Sequence, residues 1–220
     1  MAQEPMQDLD RQIDYWNRAG PGKAFGHPVN FERLARWLDP GSRILDFGCG
    51  YGRVLGLLHG HGYQNLIGVD PAPSMVAAAR QRFPSIVVEQ LVDSPRLALA
   101  EASVDATLLF TVLTCVPGDE GQRAILRELG RVLRPGGLLY ISDLWLQSDV
   151  RNIQRYVRDE PRYGKYGVFD LPEGVTVRHH DRQWIEALTE AYEPVAIDDI
   201  QVQTMNGHQA NGFQWFGLKR

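Results

Sequence analysis

Three glycines at alternate positions behind an acid carry the first chemical signal in this 220-residue chain. In Asp46-Phe47-Gly48-Cys49-Gly50-Tyr51-Gly52-Arg53 an apolar run ends and a helical pattern begins. Glycines at such a junction let the backbone turn tightly and approach a ligand that a Cβ would block. The next apolar run ends in Asp70, twenty residues after Gly50. A carboxylate at the tip of that strand accepts hydrogen bonds from both hydroxyls of a ribose. Together the loop and the acid specify a nucleoside lying across the carboxyl ends of the strands. The order differs from the G-x-G-x-x-G of pyridine-nucleotide sites, because Arg53 stands at the third glycine position. An acid ahead of the loop repels a pyrophosphate and suits a ligand carrying an ammonium group.

Positioning these groups takes a parallel sheet. Short apolar runs ended by turn signals predict strands over 43–47, 65–70, 104–110 and 138–142, with a weaker one over 86–91. Helical patterns over 53–59, 74–82 and 121–133 fill the gaps, and the Arg134-Pro135-Gly136-Gly137 break separates the last of them from its strand. Strand alternating with helix predicts an α/β fold, a Rossmann-like doubly wound sheet with helices on both faces. The leader, 8–37, reads as two helices around Gly20-Pro21-Gly22. Beyond 142 the rhythm changes: a helix over 148–158, a hairpin around 171–174, a helix over 181–192, and strands over 195–204 and 212–218 joined by an eight-residue loop. The reading is one domain, 1–220, divided into a helical leader or lid (1–40), a cofactor-binding core (41–143), an inserted cap (144–180) and a C-terminal helix and strand pair (181–220).

The runs ILDFGCGYG, IGVDPAPSMVAAAR, VDATLLFTVLTCVP and LGRVLRPGGLLYIS resemble the class I S-adenosylmethionine-dependent methyltransferases over residues 43–142. S-adenosylmethionine has a ribose, an adenine and an α-amino group but no phosphate, which matches the loop. The resemblance implies S-adenosylmethionine as cofactor and a mostly parallel sheet with one antiparallel strand. It assigns Asp46, Gly48 and Gly50 to the methionine end, with Tyr51 and Arg53 beside them. It puts Asp70 on the ribose, Pro71 and Met75 near the adenine, and Asp93 by the adenine amino group. Phe110 and Thr111 fall at the end of the strand under the sulfonium. In that fold the loop before the last strand projects at the cofactor edge, which brings Asn206, His208, Gln209 and Asn211 near the pocket.

The sulfonium is already electrophilic, so orientation and exclusion of water are the protein's main tasks. Aromatic faces stabilise a desolvated cation, and the aromatics are unevenly placed. Five fall between Tyr15 and Trp37 and five between Trp145 and Phe169. Phe31 and Trp37, at helical spacing with Leu34 and Leu38, read as packing of a leader helix. Tyr15, Trp16 and Phe25 are candidates to close over the site with Trp145, Tyr156, Tyr163, Tyr166 and Phe169. Tyr15, His27, Asp143 and His208 are the candidate catalytic groups. His179 and His180 read as serving the turn of the helix that follows. Cys115, beside Val116-Pro117, reads as a small buried residue rather than a nucleophile, and no carboxylate cluster has metal spacing.

Composition bounds the partners. A net charge of −4 with no Lys/Arg block argues against a nucleic-acid backbone. The longest uncharged stretch, 106–118, is too short for a bilayer, the start lacks the apolar run of a signal peptide, and two cysteines suit a reducing cytoplasm. The expected partner is a small molecule, or none beyond S-adenosylmethionine; oligomeric state is left open. Three functions remain. Methyl transfer to a small molecule comes first. Second is intramolecular cyclisation of S-adenosylmethionine to azetidine-2-carboxylate and methylthioadenosine, since the leader around Tyr15-Trp16, Ala19-Gly20, Lys23, Phe25 and His27-Pro28 is similar to bacterial azetidine-2-carboxylate synthases on this fold. A non-catalytic binding module comes third.

Overall fold

The computed structural model describes residues 7–220, with side chains from Gln12 onward. The first six residues, which bear on the reading of the start, lie outside the described residues. The central sheet has seven strands in the order β3-β2-β1-β4-β5-β9-β8. Its parallel part is built from β1 (Arg43–Phe47), β2 (Asn65–Asp70), β3 (Val87–Gln90), β4 (Val104–Phe110) and β5 (Leu133–Leu144). β9 (Gln209–Lys219) runs antiparallel to both β5 and β8 (Tyr192–Gln203), so it is the single reversed strand. The α/β class and the sheet topology expected from the sequence are present. β1, β2 and β4 read as near-continuous apolar runs because helices cover both faces, while the edge strand β3 is largely exposed. The covering helices are α3 (Arg53–Gly60), α4 (Pro73–Arg82), α5 (Asp119–Val132) and α7 (Arg182–Leu188).

The ends of several elements differ from expectation for local reasons. α5 runs into β5 without a gap, and residues 134–137 bulge out of the strand between the Val104↔Leu133 and Ala106↔Leu138 pairings. The second leader helix is a single turn, α2 (Phe31–Leu34), capped by the Asn30 carboxamide on Arg33 N. The expected eight-residue loop is shorter: Thr204 and His208 already pair, and β9 begins at Gln209.

Leader and cap are fastened together. The cap comprises α6 (Val150–Tyr163) and a hairpin of β6 (Val168–Asp170) and β7 (Thr176–Arg178). α1 (Gln7–Ala19) lies against it, and the Gln12 carboxamide donates to Thr176 O and accepts from Thr176 N, as a neighbouring strand would. Tyr15, Tyr156, Phe169, Val175 and Val177 close a small apolar core between the two. At its other end α1 holds α4, with Ser74 N donating to Asn17 Oδ1 and Ser74 Oγ to Asn17 O.

One buried polar knot sets α5, α7 and the cap against each other. Gln122 Nε2 reaches Leu113 O at 2.9 Å, Val116 O at 2.8 Å and His180 Nε2 at 3.0 Å, while its Oε1 accepts from Trp184 Nε1 at 2.6 Å. The fully buried Gln122 therefore ties together groups from three segments, its two amide hydrogens shared among three acceptors. Gln122→Leu leaves those partners unpaired, and we expect it to cost about 2–4 kcal/mol in urea denaturation. A change below about 0.5 kcal/mol would show the knot to be dispensable.

Candidate functional site

β1 and β2 deliver their acids side by side. Asp46 pairs with Gly68 in register, and Asp70 ends β2. Gly48 and Gly50 have φ of +72° and +54°, conformations that favour glycine, and a Cβ on Gly48 would come within 2.6 Å of Val112. Asp70 holds the loop: its Oδ2 accepts from Gly50 N at 2.9 Å and its Oδ1 from Ala72 N at 2.9 Å. Burial lifts its pKa to about 6 against these two N–H donors. Asp46 is buried, and its Oδ2 has no hydrogen-bond partner. Burial raises its pKa to about 7, with Arg53 pulling down and Asp70 pushing up. A desolvated carboxylate oxygen without a donor, beside a left-handed glycine turn, fits a ligand bringing an ammonium group.

Around these acids stand most of the residues assigned to the cofactor. Arg53 opens α3 close enough to Asp46, Tyr51 and Tyr140 for its charge to act on them. Tyr51 lies under the Arg82 guanidinium, 4.4 Å from ring centre, and 5.8 Å from the Phe25 ring. Met75 is buried beneath Gly20 of the leader and the loop's Gly50, and Pro71 is half-buried at the end of β2. Thr111, just past β4, takes φ of +58°, a strained value for a β-branched residue. Phe110 turns away into the core against Tyr140. Asp93 is exposed in the loop after β3.

Beyond Thr111 lies a cavity of about 90 Å³, walled by leader, cap and the β8–β9 turn. Trp16, Phe25, His27, Phe169, Asn206 and His208 line it with Thr111, so seven expected residues meet there. Trp16 and Phe25 pack at a tilt, 6.0 Å between ring centres, and Phe25 bridges from the cavity to Tyr51. Gly26 lets this segment pass, since a Cβ would sit 2.7 Å from Gln203 O. The His27 ring is buried, with Nδ1 2.9 Å from Ser142 Oγ. Burial, and then Arg53, lowers its pKa to about 3, so the imidazole is neutral at pH 7.

Other expected residues lie elsewhere. Side chains alternate along β5, so Ser142 and Leu144 face the cavity while Asp143 and Trp145 face α5 and α7. Asp143 is wholly buried, accepting from Thr114 N at 3.1 Å and Leu144 N at 2.8 Å. It is not a solvated turn residue, and it does not line the cavity. Trp145 stacks on Phe213 at 3.9 Å and donates to Asp199, away from the cavity. Tyr163 donates to Asp170 Oδ1, Tyr166 sits outside against Tyr156, and Tyr15 and Tyr156 belong to the core beneath the cavity. Burial pushes the Tyr15 hydroxyl up to about 12. Cys115 borders the cavity with its thiol on Thr111 O at 3.2 Å, and burial raises its pKa, which disfavours the thiolate. The sequence reading gives Arg151 and Arg155 no role and seats His179 in a helix turn, yet all three line the cavity. The arginines' four-residue spacing in an expected helix was a usable signal for one face.

These features define a Rossmann-like protein that holds a nucleoside with a cationic amino-acid end. Comparisons agree. A methyltransferase domain model matches residues 45–141. An uncharacterised methyltransferase of Mycobacterium bovis is 35% identical over 184 residues, 80% of this chain and 70% of that protein. A ubiquinone biosynthesis O-methyltransferase of Xanthomonas campestris is 36% identical over 138 residues, 59% of this chain but only 56% of that relative's length. A SAM-dependent methyltransferase structure from Methanosarcina mazei superposes with TM-score 0.81 at 23% identity, covering 87% of this chain and 99% of that one. The chain belongs to the class I S-adenosylmethionine-dependent methyltransferase family, and S-adenosylmethionine is its cofactor. Among the described residues no helix is long and apolar enough to cross a membrane.

Two measurements test the cofactor residues. Asp70→Ala should abolish S-adenosylhomocysteine binding in calorimetry; unchanged affinity would remove Asp70 from the ribose. Asp46, with a pKa of about 7 in the free protein, must be ionised to meet an ammonium group. Affinity should therefore be full above pH 7 and fall by up to about tenfold per unit below it. A flat profile from pH 8 to 5.5 would show that Asp46 does not pair with the ligand.

Proposed function

We propose that the protein transfers a methyl group to a small molecule held in the cavity between leader, cap and β8–β9 turn. The observation that carries this reading is the cavity itself, which borders Thr111 and Phe25 beside the cofactor loop and has a mostly apolar, aromatic lining with a few polar groups. Cyclisation of S-adenosylmethionine needs no such second chamber, and a binding module has no use for one. Bound S-adenosylmethionine supplies an electrophilic methyl group on a sulfonium. Asp46 and the glycine loop would hold its amino-acid end, and Asp70 its ribose. Trp16 and Phe25 shield the junction from water. We assign His27 as the group that accepts the hydrogen of the acceptor's hydroxyl or amine: in the tautomer with Nδ1–H toward Ser142 Oγ, 2.9 Å away, Nε2 keeps its lone pair for the substrate, although burial makes it a weak base.

Incubation with S-adenosylmethionine and a panel of hydroxylated and aminated small molecules, read by mass spectrometry, should give S-adenosylhomocysteine only when an acceptor is present. Methylthioadenosine formed without any acceptor would instead establish cyclisation, and binding without turnover would leave the module. With an acceptor in hand, His27→Asn should lower kcat by about a hundredfold while S-adenosylhomocysteine affinity holds. An unchanged kcat would remove His27 from proton transfer.

A further inference from the structure

One wall of the cavity carries positive charge that no carboxylate of the lining answers. Arg151, Asn152 and Arg155 line it from the first two turns of α6, and no Asp or Glu lines the cavity at all. Arg151 has Asp149 at 3.9 Å. Arg155 makes one side-chain hydrogen bond, to Asn152 Oδ1 at 3.3 Å, and among the described residues no carboxylate lies within ion-pair distance of it. It is half-buried, and burial, then Arg151 and Arg158, lower its pKa, only partly offset by the more distant charges of Asp149 and Glu173.

A second donor stands on the same wall. Gln147 N donates to Tyr156 Oη at 3.1 Å, so the buried hydroxyl must place its own proton elsewhere. His179 Nδ1, 2.5 Å away, is the acceptor for it. That fixes His179 as the tautomer with hydrogen on Nε2, and His179 lines the cavity. Both groups rest on one ring: the Arg155 guanidinium is 5.5 Å from the Phe169 centroid, and the His179 ring is 5.1 Å from it. A guanidinium and an N–H sharing an aromatic floor suit a planar carboxylate attached to an apolar or aromatic body.

We propose that this wall is a carboxylate subsite for the methyl acceptor, with Arg155 and His179 Nε2–H as its donors and Arg151 as the second charge. The assignment rests on the methyl-transfer reading above. The carboxylate could also come from the cofactor's own methionyl end, but no glycine-loop residue lines this cavity. The acceptor is therefore a small organic acid bearing a separate hydroxyl or amine.

Calorimetry at saturating S-adenosylhomocysteine tests the subsite with phenylacetate and its neutral isostere phenylacetamide. The wild-type protein should bind phenylacetate at least tenfold tighter. Arg155→Met should erase that preference and Arg155→Lys should keep part of it, both with wild-type circular dichroism. Equal binding of the two probes to the wild type, no binding of phenylacetate, or a preference that survives in Arg155→Met overturns the proposal. A tenfold loss of S-adenosylhomocysteine affinity in Arg155→Met, with phenylacetate unaffected, assigns the wall to the cofactor's carboxylate and also overturns it. If the wild type binds no S-adenosylhomocysteine, the cofactor-based reading fails separately, whatever the probes do.

Discussion

β1 and β4 lie side by side, yet the chain leaves them in opposite directions, and the rest of the site depends on that divergence. From β1 the chain winds outward through α3, β2, α4 and β3; from β4 it winds the other way through α5 to β5. Where two such windings part, no crossover covers the carboxyl ends of the central strands. The glycine loop lies on one side of this crevice and Thr111 on the other. Asp46, Asp70 and the strained turn at Thr111 are thus brought together by topology before any side chain makes a contact.

What the crevice lacks is a wall, and segments outside the cofactor-binding core supply it. The leader comes from one side, the cap from the other, and the β8–β9 turn from the far edge of the sheet. The cost is polar burial. His27, His179 and His180 all sit where burial is the largest influence lowering their pKa values. Each is matched to a hydroxyl, carbonyl or carboxamide rather than to a charge in hydrogen-bond contact. Beside a cationic cofactor, the neutral His27 and His179 add no positive charge to the cavity lining, while the arginines stand on the cap wall.

The core of this arrangement was legible because its signals are local. Buried parallel strands write themselves as short apolar runs, and Asp46, Gly48, Gly50 and Asp70 are spaced by one strand-helix-strand unit. The cap was less legible because aromatic residues do not declare which side they face. Trp145 follows a strand of alternating residues, and that alternation sends it to the α5 side with Asp143, opposite Leu144. Tyr163 looked like lid material, but its hydroxyl is claimed by Asp170. Arg155 was hidden for the opposite reason: on a polar helix it resembled a solvated residue, and only the folded cap reveals which face looks inward.

The carboxamide of Gln12 bears on how anything enters. By pairing with both backbone groups of Thr176 it grafts a helix onto the edge of a two-stranded ribbon, so leader and cap form one plate rather than two shutters. Asn17 anchors that plate to α4. A ligand passing on this side has to lift the plate as a whole or slip beneath its free margin at the β8–β9 turn. There Lys23, Asn206 and Glu173 are joined only by exposed polar contacts that water readily replaces. The doorway is thus the weakest seam of the enclosure, and traffic through it is a matter of a latch rather than of a hinge.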